Sequence, residues 1–170
     1  MILSKERDPR LVTIRRGGTL TDAGHHLLAR WAADCATHVL HHFEAACPGD
    51  DRPRRAIELT HAWIRGEVAM KQAHSMAFVA NAAGRELTGA AKFAALSAGQ
   101  AVAVAHVAAH DLGAAAYAIR AAEAAAPEAE REAARRAECA WQRAQLPEAI
   151  RALVLDDQQQ RNAICWSVFD

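Results

Sequence analysis

The chain has 170 residues, of which 20 are basic and 20 acidic, so its formal net charge is zero. Hydrophobic residues make up 52% of the sequence but aromatic residues only 5%, because alanine supplies much of the apolar content. The length suits one domain with its own core, and the lack of a basic excess argues against sequence-independent binding to nucleic acid, which requires neutralisation of phosphates.

The N-terminal segment, residues 1–19, differs in pattern from the rest of the chain. A short β-prone run, Leu11 to Ile14, is followed by two arginines and two glycines. Such a segment is typical of an arm that packs on a neighbouring element or partner. We therefore predict a short extended N-terminal arm over residues 1–19.

The first two predicted helices have recognisable ends. The first begins near Thr21 or Asp22, because either side chain can accept hydrogen bonds from free backbone N–H groups. Its helical spacing of apolar residues stops at the turn that contains Pro48. The second begins at Pro53 and ends near Gly66, a residue type that adopts the left-handed conformation after a helix.

The remaining predicted helices cover most of the chain. A third runs over about residues 67–86, and an alanine-rich stretch follows over 90–126. The larger apolar residues of that stretch are distributed around the whole circumference of the predicted helix, which is typical of a helix at the centre of a bundle. Gly113 could divide the stretch into two helices. A charged helix follows over 128–144, and a short helix opens at Pro147 and runs through Leu155.

The C-terminal tail, residues 156–170, begins polar and ends with an apolar run from Ile164 to Phe169. Exposure of such a run to water is unfavourable, so we predict that the tail docks on the bundle or on a neighbouring subunit. The predicted fold is therefore all-α, a single-domain bundle of about six or seven helices over residues 20–155. A homo-oligomer is an open alternative.

The nine histidines raise the question of a metal site. His106 and His110 lie four residues apart, as do His38 and His42, so each pair would project from one helix face. Two such pairs could bind a divalent ion. However, the chain has no His-Glu-x-x-His motif and no closely spaced cysteine pair. We favour hydrogen-bonded core histidines and expect no metal and no cofactor.

A polar helix face is also predicted from the spacing of His106, His110 and Tyr117. These side chains would lie among small residues on one helix face, where they could hydrogen-bond within the core or line a pocket. The three residues are therefore our pocket candidates.

No motif of an enzyme active site occurs in the chain. The nucleophile elbow, the phosphate-binding loop and the dinucleotide-binding fingerprint are all absent from the sequence, so we predict a non-enzymatic binding protein. Arginines gather around the second helix with Trp63, and both residue types are frequent at interface hot spots. Arg52, Trp63 and Arg65 are thus candidates for partner contacts, with a solvated basic surface as the alternative.

Several segments together carry a resemblance to a known family. They are residues 8–20, 28–36, 51–58, 62–67, 105–118 and 138–142. Their ordered motifs include Arg52-Pro53, a Trp-x-Arg-Gly-Glu motif that begins at Trp63, and a His-x-x-x-His motif that begins at His106. In this order the motifs resemble the immunity-protein-five-like family of helical bacterial proteins.

The resemblance implies a cytoplasmic protein that neutralises a cognate bacterial toxin by direct binding. It implies no catalytic residues, and it adds Glu67 of the shared motif to the candidates for partner contacts. We expect neither nucleic acid nor a membrane as a partner. Two alternatives stay open: a helical protein that binds a metal or small ligand through its histidines, and an oligomeric scaffold.

Overall fold

The structure, a computed structural model, describes residues 3–4 and 6–170. In this part of the chain it contains seven α-helices, which confirms the predicted all-α bundle. The helices are α1 (Asp22–Ala46), α2 (Arg52–Ile64), α3 (Met70–Ala83), α4 (Gly89–Ala103), α5 (Asp111–Ala125), α6 (Arg131–Ala144) and α7 (Glu148–Arg161). No helix within the described ranges combines the length and the apolar content needed to cross a bilayer.

Helices α4 and α5 form the centre of the bundle. α4 packs against α1, α2, α3 and α5, while α5 also contacts α1 and α6. Alanines such as Ala98, Ala101, Ala115 and Ala118 are fully buried between them. Because these side chains are small, neighbouring helices approach closely. The prediction that the alanine-rich stretch lies at the centre is confirmed.

Helix α1 supplies the large side chains that the alanine-rich helices lack. It begins as predicted, with the Thr21 hydroxyl accepting a hydrogen bond from the Gly24 amide at 3.0 Å. Trp31 and Phe43 are completely buried. The indole N–H of Trp31 donates to the Gln142 carbonyl at 2.9 Å, so this polar group is satisfied in the core and ties α1 to α6.

The alanine-rich stretch is interrupted at residues 104–107 rather than at Gly113. Gly113 lies inside α5, where an added Cβ would come within 2.5 Å of the Gln100 side-chain oxygen. His106 falls within the interruption, and His110 ends the short 3-10 turn that precedes α5. The prediction that these two histidines share one face of a continuous helix was therefore wrong.

A hydrogen bond from a distant helix accounts for this interruption. The buried His25 ring of α1 donates through Nε2 to the Val104 carbonyl at 2.6 Å. In a continuous α-helix this carbonyl would accept from the amide of Ala108. Branched valine side chains at Val104 and Val107 also lower the local preference for helix.

Two other helix limits differ from the predictions. Gly66 adopts a left-handed φ of 75° after α2, as predicted. Its amide donates to the Trp63 carbonyl at 2.9 Å, and the following turn delays the start of α3 until Met70. At the other end of the chain, α7 continues past Leu155 to Arg161, where an ion pair with Asp157 spans one helical turn.

The C-terminal residues pack on the bundle in this structure. Cys165, Val168 and Phe169 are buried. The Arg135 guanidinium of α6 donates to the Val168 carbonyl at 3.0 Å. A role for this segment between subunits stays a prediction.

The N-terminal arm is more compact than the extended segment we predicted. It contains two 3-10 turns, Pro9–Leu11 and Ile14–Arg16, and an isolated bridge between Thr13 and Leu20. Local contacts favour the turns, since Asp8 caps the first one through the Arg10 amide at 2.8 Å. Met1, Ile2 and Lys5 of the predicted arm lie outside the described residues.

The arm is also fastened to the bundle. The Arg10 guanidinium pairs with Asp8 at 2.6 Å and with Asp156 of α7 at 2.5 Å. Leu11 and Leu20 are both buried in the core. The arm therefore packs against the bundle, and the side chains of the arm have defined positions.

Gly18 provides a test of this compact arm. An added Cβ would lie 2.0 Å from the Val12 carbonyl oxygen and 2.5 Å from that of Pro9. Relief would require backbone movement that breaks the hydrogen bond from the Thr19 amide to Pro9, 2.9 Å long. We therefore expect Gly18→Ala to lower the free energy of unfolding by about 2 kcal/mol.

Urea unfolding of the wild type and of two variants measures this effect. The matched control is Gly17→Asn, because Gly17 has a φ of 85°, which asparagine adopts, and open space around its Cβ position. The control should lower stability by no more than about 1 kcal/mol, since asparagine tolerates this φ better than other side chains do. Equal stability of Gly18→Ala and the control would contradict the described arm.

Candidate functional site

A groove of about 440 Å³ lies between the arm and the helical bundle. Its polar and aromatic lining consists of Arg7, Thr13, Arg15, Arg16, His25, Trp63 and His106. Apolar side chains line the rest, among them Leu11, Val12, Met70 and Val107. We call this feature the arginine groove. Mixed apolar and polar lining and a volume of this size are typical of binding pockets.

Trp63 is held in place at the end of α2 by two histidines of α1. The edges of the His25 and His26 rings meet its indole, each with a centroid distance of 4.9 Å. The indole is half-buried, so part of it is available at the groove. Because both neighbouring rings belong to one helix, the position of Trp63 is set before any partner binds.

The interruption between α4 and α5 forms another part of the groove lining. Its His106 ring stacks on His74 of α3 with a centroid distance of 4.3 Å. The pKa of His106 is lowered by burial and by the nearby charges of His74, Arg16 and Arg7. Its Nδ1 atom is buried and has no hydrogen-bond partner among the described residues.

The histidines of the groove are therefore neutral at pH 7. Burial is also the main cause that lowers the pKa of His25, whose ring nitrogen already donates to the Val104 carbonyl. The positive charge of the groove thus comes from Arg7, Arg15 and Arg16, not from histidine.

An exposed apolar row on α3 continues the groove. It consists of Met70, His74 and Phe78, which lie four residues apart and so share one helix face. Met70 lines the groove, while Phe78 is 66% exposed and contacts the His74 ring at 5.3 Å. We call these three residues the α3 row. Ile14 of the arm, 61% exposed, adds a further apolar side chain beside the arginines.

The predicted partner-binding residues occupy the two ends of α2. Arg52 pairs with Asp50 at 2.5 Å at the start of the helix. Trp63 lies near the other end, about 16 Å away at the usual helical rise. Arg65 and Glu67 follow Trp63 directly and pair with each other at 2.6 Å on the surface. The structure therefore places Trp63 in the groove lining, whereas Arg65 and Glu67 follow it in the chain outside that lining, and Arg52 lies at the other end of α2.

The three pocket candidates make separate contacts. His106 belongs to the arginine groove, whereas His110 donates through Nδ1 to the Gln100 side-chain oxygen at 2.8 Å. Tyr117 packs elsewhere, with its ring centroid 5.1 Å from that of Trp166 in the C-terminal segment. The structure does not place these three side chains on one helix face.

The histidines of the alternative metal site also have other neighbours. His38 stacks on Trp141 at 3.7 Å and donates through Nδ1 to Glu138 at 2.7 Å. His42 contacts His41, with 3.9 Å between the ring centroids. Within residues 3–4 and 6–170, no three His, Cys, Asp or Glu side chains are grouped so that they could hold a metal ion.

Comparison with known proteins gives a match to one family. The model of a family described as Imm-5 like putative immunity protein matches residues 18–149. The chain belongs to this family. The match confirms the resemblance and includes Trp63, the α3 row and His106, whereas the arm arginines precede it. No curated protein and no solved structure matches the chain.

Sequence reasoning missed several residues that shape the site of this immunity-family protein. Arg15 and Arg16 were visible as a basic pair, but their distance in sequence from Trp63 gave no reason to group them. Phe78 was not predicted, because only the alanine-rich face of its helix gave a recognisable pattern. The available signal was the position of Phe78, a large apolar residue that does not share the helical phase of the buried alanines of α3 and so lies on another face.

His110 provides a test of the electrostatics in this immunity-family protein. Burial, with smaller effects of nearby positive groups, lowers its pKa to about 4. The unfolded chain has an ordinary histidine pKa of about 6.5, so it binds more protons than the folded chain between these pH values. Stability therefore falls as the pH falls through this range, by about 2 kcal/mol between pH 7 and pH 5 from this group.

Urea unfolding at pH 7 and pH 5 measures the difference, with His110→Asn as the variant. An asparagine amide can still donate toward Gln100 but does not titrate in this range. The variant should lose less stability on acidification than the wild type. His25 and other histidines with lowered pKa keep part of the wild-type effect. An unchanged pH dependence in His110→Asn would show that His110 is not held neutral.

Proposed function

We propose that the protein neutralises a cognate bacterial toxin by binding it directly in the cytoplasm. Membership of the immunity-protein family supports the toxin as the class of partner. The observation that supports the location is the arginine groove, because Trp63 there lies beside the exposed apolar α3 row. In this proposal the bound protein occludes the toxin's active site.

The exposed apolar side chains favour a protein partner at this surface. Phe78 is 66% exposed, so its burial against a partner would contribute about 2 kcal/mol. Tryptophan and arginine, both present in the groove, are frequent among the residues that dominate interface energy. The surface thus combines exposed apolar and charged side chains, as protein interfaces do.

The ion pair beside Trp63 can be broken with little loss of free energy. The side chains of Arg65 and Glu67 are 56% and 54% exposed, and such exposed ion pairs contribute less than about 1 kcal/mol. A toxin could therefore replace this pair with hydrogen bonds of its own. Trp63 is already fixed by two histidine rings, which reduces the entropy lost on binding.

The proposed role needs no catalytic step by this chain. Burial raises the pKa of the Cys35, Cys139 and Cys165 thiols, which keeps them protonated and unreactive. The groove itself contains neutral histidines and arginines but no hydroxyl or thiol activated by a base, as far as its described lining shows. Binding is the function that this arrangement supports.

Calorimetry with a purified candidate toxin, sought among the proteins encoded near this gene, tests the proposal. We expect tight binding, weakened about a hundredfold by Phe78→Asp and by Trp63→Ala, because both changes remove large apolar contacts from the proposed interface. Phe78→Asp leaves the core intact, so a loss of binding does not reflect unfolding. Trp166→Ala, at a tryptophan that is 44% exposed but does not line the groove, is the control.

Growth of toxin-producing cells gives the functional readout. Cells with the wild-type protein or Trp166→Ala should survive, and cells with Phe78→Asp should not. Absence of both binding and protection by the wild-type protein would contradict the proposed function. Full binding by the Phe78 and Trp63 variants would contradict the location.

A further inference from the structure

The arginine groove concentrates positive charge in a chain that is neutral overall. Three arginines line it, Arg7, Arg15 and Arg16, and its described lining includes no carboxylate. The adjoining groove shares Arg7 with it but is mixed in charge, since Glu6, Asp8 and Asp157 line that groove together with Arg7 and Arg161. The charge is therefore a local property of the groove.

Two of these arginines have no acidic neighbour at hydrogen-bond distance. Among the described residues, no carboxylate lies within 4.0 Å of the Arg7 or Arg16 guanidinium nitrogens. Both still act on the groove, because their charges contribute to the lowered pKa of His106. Both side chains are exposed, so a carboxylate brought to them pairs more strongly only where an adjacent apolar group also excludes water.

The third arginine has a partner that it can exchange. Arg15 pairs with Asp22 at 2.7 Å, and the two side chains are 79% and 62% exposed. Such a pair contributes less than about 1 kcal/mol in water. An incoming carboxylate could therefore replace Asp22 with little loss.

The apolar lining restricts the kind of anion that fits. Leu11, Met70 and Val107 lie in the same groove as the arginines, and Trp63 adds an aromatic surface. A segment with a carboxylate beside an apolar side chain satisfies both parts of this lining. A volume of about 440 Å³ accommodates a few side chains of such a segment.

Nucleic acid fits this surface less well. A strand needs a basic track along many phosphates, and the chain as a whole has no excess of basic residues. The α3 row, which continues the groove, presents Met70 and Phe78 instead of further cations.

We propose that the arginine groove binds an acidic segment of a protein partner, whose carboxylates pair with Arg7 and Arg16 while an adjacent apolar side chain packs on Trp63. The identification of that partner with the toxin rests on the proposed function. It implies that the toxin presents an acidic surface to the groove. A toxin surface built to bind phosphates would be repelled by the same arginines.

Selection from a random-peptide display library on the immobilised full-length protein tests the groove without the toxin. Enriched peptides should combine Asp or Glu with apolar residues. A synthetic copy of one enriched peptide should bind at least about tenfold more weakly to the double variant Arg7→Gln, Arg16→Gln. It should also bind more weakly to the wild type at high salt.

The matched control is the double variant Arg85→Gln, Arg131→Gln. Both residues are exposed arginines outside the groove lining, so peptide affinity should stay at the wild-type value. Enrichment without acidic residues, no enrichment at all, or equal binding to the two double variants would overturn the proposal. Displacement of the peptide by a short oligothymidine strand at equal concentration would also overturn it, in favour of a nucleic-acid site.

The toxin experiment separates this inference from the proposed function. Toxin bound equally by the wild type and by Arg7→Gln, Arg16→Gln would remove the acidic-segment proposal and leave the immunity role intact. Binding of acidic peptides in the groove without any binding of toxin would support the acidic-segment proposal and contradict the immunity role.

Discussion

The buried hydrogen bond from His25 to the Val104 carbonyl determines the shape of the candidate surface. It takes the carbonyl that a continuous helix would use, and so separates α4 from α5. His106 lies in the segment between α4 and α5, beside α3, where its ring stacks on His74. The same His25 ring supports Trp63. One side chain thus positions the groove wall and its aromatic residue.

The alanine-rich core makes this arrangement possible. Small side chains on α4 and α5 allow both helices to pack closely within the bundle, and Trp31 and Phe43 of α1 add the bulk that they lack. The polar group of Trp31 is satisfied inside the core, at the Gln142 carbonyl. A rigid scaffold of this kind presents side chains with little entropy left to lose, which favours tight binding of a partner.

Much of the fold could be predicted because its signals are local. The Thr21 cap, the left-handed Gly66 and the helical periodicity each depend on residues within a few positions of one another. The interruption at Val104 could not be predicted, because its cause is a histidine 79 residues away in sequence. For the same reason Trp63 could be selected as a candidate by residue type, but its grouping with Arg7 and Arg16 required the packing of the arm.

Hydrogen–deuterium exchange on the protein with and without the proposed toxin partner tests the central claim most directly, because it finds the bound surface without any substitution. Slower exchange on toxin binding is expected in residues 7–16 of the arm, at the end of α2, along α3 and at 104–108. Protection confined to α6, α7 and the C-terminal segment, with unchanged exchange around Trp63, would contradict the assignment of the arginine groove and the α3 row as the binding surface.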